Sequence, residues 1–263
     1  MAPRTVAPPP DGQVRVRMTV AYDGAPFHGF ATNPDVRTVQ DDLHEALSKV
    51  LRAPITVTCA GRTDRGVHAR GQVVSFDADA DHFDAVALTR ALNRMLAPEI
   101  SVRDVALAAP DFDARISCVA RSYRYRVLNS VWPDPLVRDL VWHVREPLEI
   151  GAMQLAADQI LGEHDFTSFS KKNKSKVNET FVRTVDRAQW RRVGDTVQLE
   201  ITANAFTHQM VRSLVGMFVE IGRGRRRPDE MGEALRAMSR RAVSSPAPPQ
   251  GLELTRAHYR GDV

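Results

Sequence analysis

Two kinds of apolar periodicity alternate along this chain, and the order in which they come leaves few folds open. Val14–Tyr22 alternates with the period of two that a half-buried strand requires and ends on the turn signal Tyr22-Asp23-Gly24. Thr38 then caps a helix, with Asp41 at the capping-box position and Val39, Leu43, Leu47 and Leu51 along one face. Ile55–Cys59 and Gln72–Phe76 are apolar, β-branched runs that read as strands. Leu88, Ala91, Leu92, Met95 and Leu96 mark a second helix, stopped by Pro98, and Ile100–Leu107 reads as another strand. The order is strand, helix, strand, strand, helix, strand.

After Pro110 the same order recurs. Cys118–Leu128 is a strand, a loop rich in Pro and Trp follows, and Met153, Ala157 and Ile160 mark a helix over Ile150–Leu161. Phe181–Arg191 and Thr196–Ala203 form a hairpin around Gly194-Asp195. Thr207–Ile221 is strongly helical, an extra helix runs from Asp229 to Met238, and Leu252–Tyr259 closes with a strand. This is the β-α-β-β-α-β arrangement of ferredoxin-like units, met twice. The expectation is an α+β chain whose two ferredoxin-like halves share a mixed, mainly antiparallel sheet, with helices packed on it and a central cleft. Residues 1–12 read as a disordered, proline-rich arm, 13–109 as the N-terminal half and 110–263 as the C-terminal half. Gly162–Thr180 and Ser239–Gly251 exceed ordinary connections and are candidate substrate loops.

Composition narrows the class. With 263 residues, 43% of them hydrophobic, the chain can bury a substantial core. No apolar run approaches the ~20 residues of a membrane span, and Met1–Pro10 lacks the apolar core of a signal peptide. A cytoplasmic protein is expected. Its two cysteines, Cys59 and Cys118, offer neither a disulfide framework nor metal-ligand spacing, and its histidines form no cluster. No structural metal is expected. The net charge of +4 is mild, but the charge is gathered. Lys171, Lys172, Lys174 and Lys176 form one group, Arg223, Arg225, Arg226 and Arg227 another, and Arg121, Arg124 and Arg126 interleave with Tyr123 and Tyr125. Such clusters suit phosphate contacts and base stacking, and they also occur as ordinary solvated faces.

Between the strands ending at Cys59 and beginning at Gln72 lies Cys59-Ala-Gly-Arg-Thr-Asp64-Arg-Gly-Val-His68. Asp64 is flanked by Arg62 and Arg65, and three glycines let the backbone turn tightly. A carboxylate held ionised by guanidinium groups on an open loop is what a nucleophile or base looks like. An ordinary surface ion pair is the other reading. Arg212 stands at the edge of the apolar stripe of its helix, one turn beyond His208. There it either snorkels to solvent or aims its fork at a carboxylate.

Together these segments resemble the TruA-type tRNA pseudouridine synthases. The resemblance lies in Ala21-Tyr-Asp-Gly24 with His28-Gly-Phe30, in Cys59-Ala-Gly-Arg-Thr-Asp64 with Gly66-Val-His68, and in Gly71-Gln-Val-Val. It continues through Arg121-Ser-Tyr-Arg-Tyr125, Asp165-Phe-Thr-Ser-Phe169, Asn204-Ala-Phe206, His208-Gln-Met-Val-Arg212 and Gly251-Leu252. Arg65 departs from the alanine usual there. The resemblance implies conversion of uridine to pseudouridine at tRNA positions 38 to 40 in the anticodon arm, by a homodimer, with no cofactor and no metal. It implies Asp64 as the catalytic residue, attacking the anomeric carbon or removing a ribose proton. Arg212 would pair with Asp64 and keep it ionised, Tyr123 would stack on the target base, Leu252 would pack against it, and Arg62 would hold the displaced nucleotide.

Two other readings compete. A nucleosidase or glycosidase also works at an anomeric carbon but ordinarily needs a pair of carboxylates, and Asp23 is the sole obvious second candidate. A non-catalytic ferredoxin-like RNA-binding module would carry stacking aromatics on its central strands and has no need of an Arg–Asp pair.

Overall fold

The structure, a computed structural model, describes residues 5–172 and 180–261. Lys174, Lys176 and the first four residues of the proline-rich segment lie outside the described residues. The described chain is α+β, with ten strands and five α-helices, in two compact units, residues 1–119 with 254–263 and residues 120–253.

The first unit contains β1 (Gln13–Tyr22), α1 (Val39–Leu51), β2 (Thr58–Cys59), β3 (His68–Asp79), α2 (Ala85–Leu96) and β4 (Ile100–Leu107). It also takes β10 (Leu252–Tyr259) from Leu254 onward. Strand β1 lies between β3 and β4, antiparallel to both, and β2 pairs antiparallel with β3. Strand β10 lies on the other side of β3 from β1. Along β1, buried Val16, Met18, Val20 and Tyr22 alternate with partly exposed Arg15, Arg17, Thr19 and Ala21, which is the expected period of two. Helix α1 begins where expected, the Asp41 N–H donating to Thr38 Oγ1. Its buried stripe is Val39, Leu43, Ala46 and Leu47. In α2 the Val86 and Ala87 N–H groups donate to Asp84, and Leu88, Leu92 and Leu96 are buried, while Met95 is exposed. Before β1, the Pro10 carbonyl accepts from Gln13 N–H (3.0 Å) and the Gly12 carbonyl from Ala80 N–H (2.9 Å).

The strand expected over Ile55–Cys59 shortens to Thr58–Cys59. Side chains of α1 take the backbone of the missing part. Ile55 N–H donates to Ser48 Oγ (3.0 Å), Val57 N–H to His44 Nε2 (3.1 Å), and the Val57 carbonyl accepts from Gln40 Nε2 (3.4 Å). Those groups are satisfied without a ladder partner. Burial pulls the His44 imidazole below its ordinary pKa, with the nearby Asp41 opposing; a neutral ring keeps Nε2 available as the acceptor.

The second unit carries most of β5 (Cys118–Leu128), then β6 (Trp142–His143), α3 (Ile150–Asp158), β7 (Gly162–Asp165) and β8 (Val182–Val193). It goes on through β9 (Thr196–Ala203), α4 (Met210–Gly222) and α5 (Glu230–Ala237). Strands β5, β9, β8 and β7 lie side by side in that order and are antiparallel, and β6 runs parallel to β5. The β8–β9 hairpin turns at Gly194-Asp195 as the sequence predicts. Helix α3 packs against α4, α5 and β8. Helix α4 starts at Met210 rather than Thr207, because Gln209 adopts a left-handed conformation (φ 63°) that no α-helix continues through. The long connection from Gly162 proves partly regular. Asp165 Oδ1 accepts from the N–H (2.8 Å) and hydroxyl (2.6 Å) of Thr167, fixing a short 3-10 turn that buries Phe166 and Phe169 completely.

Candidate active site

Asp64 stands between β2 and β3 in the first unit, on a loop whose backbone is held at several points. Ala60 N–H donates to the Val73 carbonyl (2.8 Å). The Gln72 side chain, fully buried, then acts as a strand would: Nε2 donates to the Gly61 carbonyl (2.6 Å) and Oε1 accepts from Gly61 N–H (3.3 Å). At the next residue but one, Tyr22 and Thr63 share a buried hydroxyl hydrogen bond of 2.7 Å. Phe30 N–H donates to the Thr63 carbonyl (3.1 Å), and Val67 N–H donates to the Asp64 carbonyl (3.1 Å), closing the turn. Gly24 N–H donates to Nδ1 of the buried His68 (3.0 Å), where β3 begins.

This support leads back to α1. The free N–H groups of that helix's first turn must find acceptors, and Val39 and Gln40 donate to the carbonyls of Gly29 and Phe30. Gly29 has φ +104°, and a Cβ there would stand 2.9 Å from the Thr63 carbonyl oxygen. The segment that caps the helix thereby lies directly against the loop, which only glycine permits. Asp64 is half-buried, and Arg62 and Arg65 are exposed. The effect is to fix the position of one carboxylate before any substrate arrives, the condition under which proximity lowers a barrier.

Tyr22→Phe is expected to cost about 1 kcal/mol of stability, the usual worth of one buried hydrogen bond. Its effect on the rate of the bound substrate should exceed its effect on affinity, because the loop that holds Asp64 loosens. Denaturant titration alongside kcat and KM separates the two.

The other candidate residues lie in the second unit. Tyr123 is buried in β5, its ring edge-on to Phe206 with centroids 5.1 Å apart. Tyr125, two residues on, is fully buried and donates its hydroxyl to the Pro248 carbonyl (2.7 Å); burial raises its phenol far above the ordinary range, against the pull of Arg212. Arg212, in the first turn of α4, donates from Nε to the Ala247 carbonyl (2.8 Å), while Ala247 N–H donates to the Arg212 carbonyl (2.9 Å). Helix and incoming segment are thus stapled at that arginine. Leu252, buried, opens β10.

The basic clusters prove unequal. All four arginines of the 223–227 group have carboxylate partners. Arg223 meets Glu220 (2.7 Å) and Glu146 (3.1 Å), Arg225 meets Glu146 (3.1 Å) and Glu220 (3.4 Å), Arg226 meets Glu230 (3.7 Å) and Arg227 meets Asp229 (3.1 Å) and Glu233 (3.7 Å). Arg124 pairs with Glu200 (3.3 Å) and Arg126 with Glu253. These charges are largely answered within the protein. Lys171 and Lys172 are exposed.

Sequence reasoning passed over Tyr22, Thr63 and Gln72 as functional. The signal for Gln72 was a polar residue at the head of an apolar strand, where an unpartnered amide would be costly. Among the described residues no group of three or more His, Cys, Asp or Glu could hold a metal ion, and no helix is long and apolar enough to cross a membrane.

Residues 18–116 and 156–260 match the family described as tRNA pseudouridine synthase. Over 240 residues the chain is 44% identical to tRNA pseudouridine synthase A of Halalkalibacterium halodurans, covering 90% of each chain. It is 40% identical to that of a Caulobacter species over 249 residues, covering 94% of this chain and 99% of the relative. The Klebsiella pneumoniae protein of the same name is 40% identical over 253 residues, 93% of this chain and 90% of the relative. A fixed, half-buried aspartate on a loop in this sequence context, with matches of this length and identity, gives one conclusion: the chain belongs to the tRNA pseudouridine synthase family.

Proposed function

We propose that this protein isomerises uridine to pseudouridine in tRNA, at positions 38 to 40 of the anticodon arm, with Asp64 as the catalytic residue. The observation that carries the reading is Asp64 itself, a single carboxylate on a loop pinned at residues 60, 61, 63 and 67. The reaction breaks the C1′–N1 bond, turns the uracil and rejoins it through C5. No group leaves and nothing is oxidised, so one carboxylate beside the sugar is enough to start it, by attack on C1′ or by removal of a ribose proton. In this reading Tyr123 and Leu252 contact the target base, and Arg212 and Arg62 supply positive charge to the site and to the displaced nucleotide. A stacked base must leave its helix before reacting, so the protein has to hold it out.

A homodimer in the cytoplasm is part of the same reading. Its support is the segment between β5 and β6, where Val131, Trp132, Leu136 and Leu140 are all exposed, Leu136 by 90%. A second copy would cover such side chains. The deciding assay incubates the protein with unmodified tRNA and measures pseudouridine by nuclease digestion and mass spectrometry. Pseudouridine at positions 38 to 40 is the expected product. Free uracil would reveal a nucleosidase, and binding without any product would reveal an RNA-binding module.

A further inference from the structure

The side of β1 that faces away from the buried row carries a basic depression of about 520 Å³. Arg17 of β1, Gly71 and Val73 of β3, Arg103 of β4, and Arg256 and Ala257 of β10 line it. Ladder partners in a sheet share a face, and Thr19 is paired with both Val73 and Arg103. Three arginines from three different strands therefore converge on one opening in the first unit.

Their charges are not answered as those of the 223–227 group are. Arg103 donates to the Arg70 carbonyl (2.6 Å) and meets Asp104, the one carboxylate in the lining, at 3.5 Å. Among the described residues, neither Arg17 nor Arg256 meets a carboxylate. The Arg17 guanidinium instead lies 5.6 Å and 5.7 Å from the ring centres of Phe112 and Tyr259, which hold it without neutralising it. Two features shape the opening. The edge strand bulges there, with Asp104 and Val105 opposing the single residue Met18 and Asp104 at φ +54°. At Gly71 the β10 backbone comes so near that a Cβ would stand 2.2 Å from the Thr255 carbonyl oxygen, so the floor there is bare backbone.

We propose that this depression binds a backbone phosphate of the RNA substrate, away from the reacting uridine, with Arg17 and Arg256 as the phosphate-binding groups. The proposal rests on the reading that the chain acts on tRNA. Two uncompensated guanidinium groups call for an anion, their planar forks match phosphate oxygens in pairs, and a polynucleotide brings one phosphate with every residue.

The test is the double variant Arg17→Gln/Arg256→Gln, with tRNA affinity measured from about 50 to 300 mM salt. The expected result is a dissociation constant raised about 10-fold near 100 mM salt, and a slope of log K against log salt reduced by about 2, one for each phosphate-binding charge lost. The exposed single variant Arg256→Gln, a safe folder, should show about half the slope change. An unchanged slope in both would overturn the proposal. So would inorganic phosphate alone saturating the wild-type protein at micromolar concentration in a manner the double variant abolishes while tRNA binding stays level, for that marks a free-phosphate site. Active wild-type protein with an unchanged slope in the variants sinks this site alone. A reduced slope with no pseudouridine from the wild type sinks the proposed reaction and leaves the phosphate site standing.

Discussion

Asp64→Asn is expected to leave a folded, tRNA-binding protein that forms pseudouridine at least about 10⁴-fold more slowly, the scale of loss seen when a catalytic carboxylate or nucleophile is removed singly. Asn has nearly the same shape and lacks only the charge. The supports described around the loop run through Gly61, Thr63 and backbone groups, including the Asp64 carbonyl, and the substitution leaves all of these in place. An amide, however, is neither a nucleophile at C1′ nor a base for a ribose proton. The measurement is a single-turnover rate at saturating tRNA, with the dissociation constant and a thermal melt as companions. A rate within ten-fold of wild type would remove Asp64 from the chemistry. A large loss of binding or of melting temperature would instead make the residue structural.

Gly71→Ala should be the most damaging conservative change for stability. Its new methyl would meet Thr255 O at 2.2 Å, Thr255 C at 2.9 Å and Arg256 Cα at 3.1 Å, all of them backbone atoms that no rotamer change can move aside. Strands β3 and β10 would have to part. Overpacking of this kind costs typically 1–3 kcal/mol and occasionally more, and contact with backbone on every side puts this case at about 3 kcal/mol. That is a large share of the ~5–15 kcal/mol that holds an ordinary domain folded. Guanidinium titration reads it directly, and a loss below about 1 kcal/mol would mean that the strand pair yields easily. Because Gly71 floors the arginine-lined depression, tRNA affinity should fall with it.

The same glycine shows where the sequence stopped being legible. It reads as turn punctuation after the Asp64 motif, yet it lies within β3, and what demands it is a strand drawn from the far end of the chain. Local signals otherwise served well: β4, β5, β9 and β10 begin and end where periodicity puts them, and α1 starts at the threonine cap. Failures came where distant side chains intervene. Ser48 and His44 take the backbone of Ile55 and Val57 away from β2, and Glu146 neutralises arginines that stand far along the chain. The candidate site divides in the same way. The Asp64 motif announces itself by composition, whereas the buried contacts of Tyr22 and Gln72 with its loop depend on packing that no short window contains.

Strand β10 also bears on the order of events during synthesis. The first unit is discontinuous, with all of residues 120–253 emerging from the ribosome before Leu254–Tyr259 can dock. Until then Ala60, Val73, Ala114 and Cys118 lack the Ala257 and Tyr259 side chains that complete their cluster, and the Ala114 carbonyl lacks the Tyr259 hydroxyl. Contacts of such sequence separation form late and slowly. A nascent chain thus displays its aspartate loop long before the sheet beneath it is finished. Competence to handle RNA should arrive abruptly, when translation ends, instead of growing in with each segment.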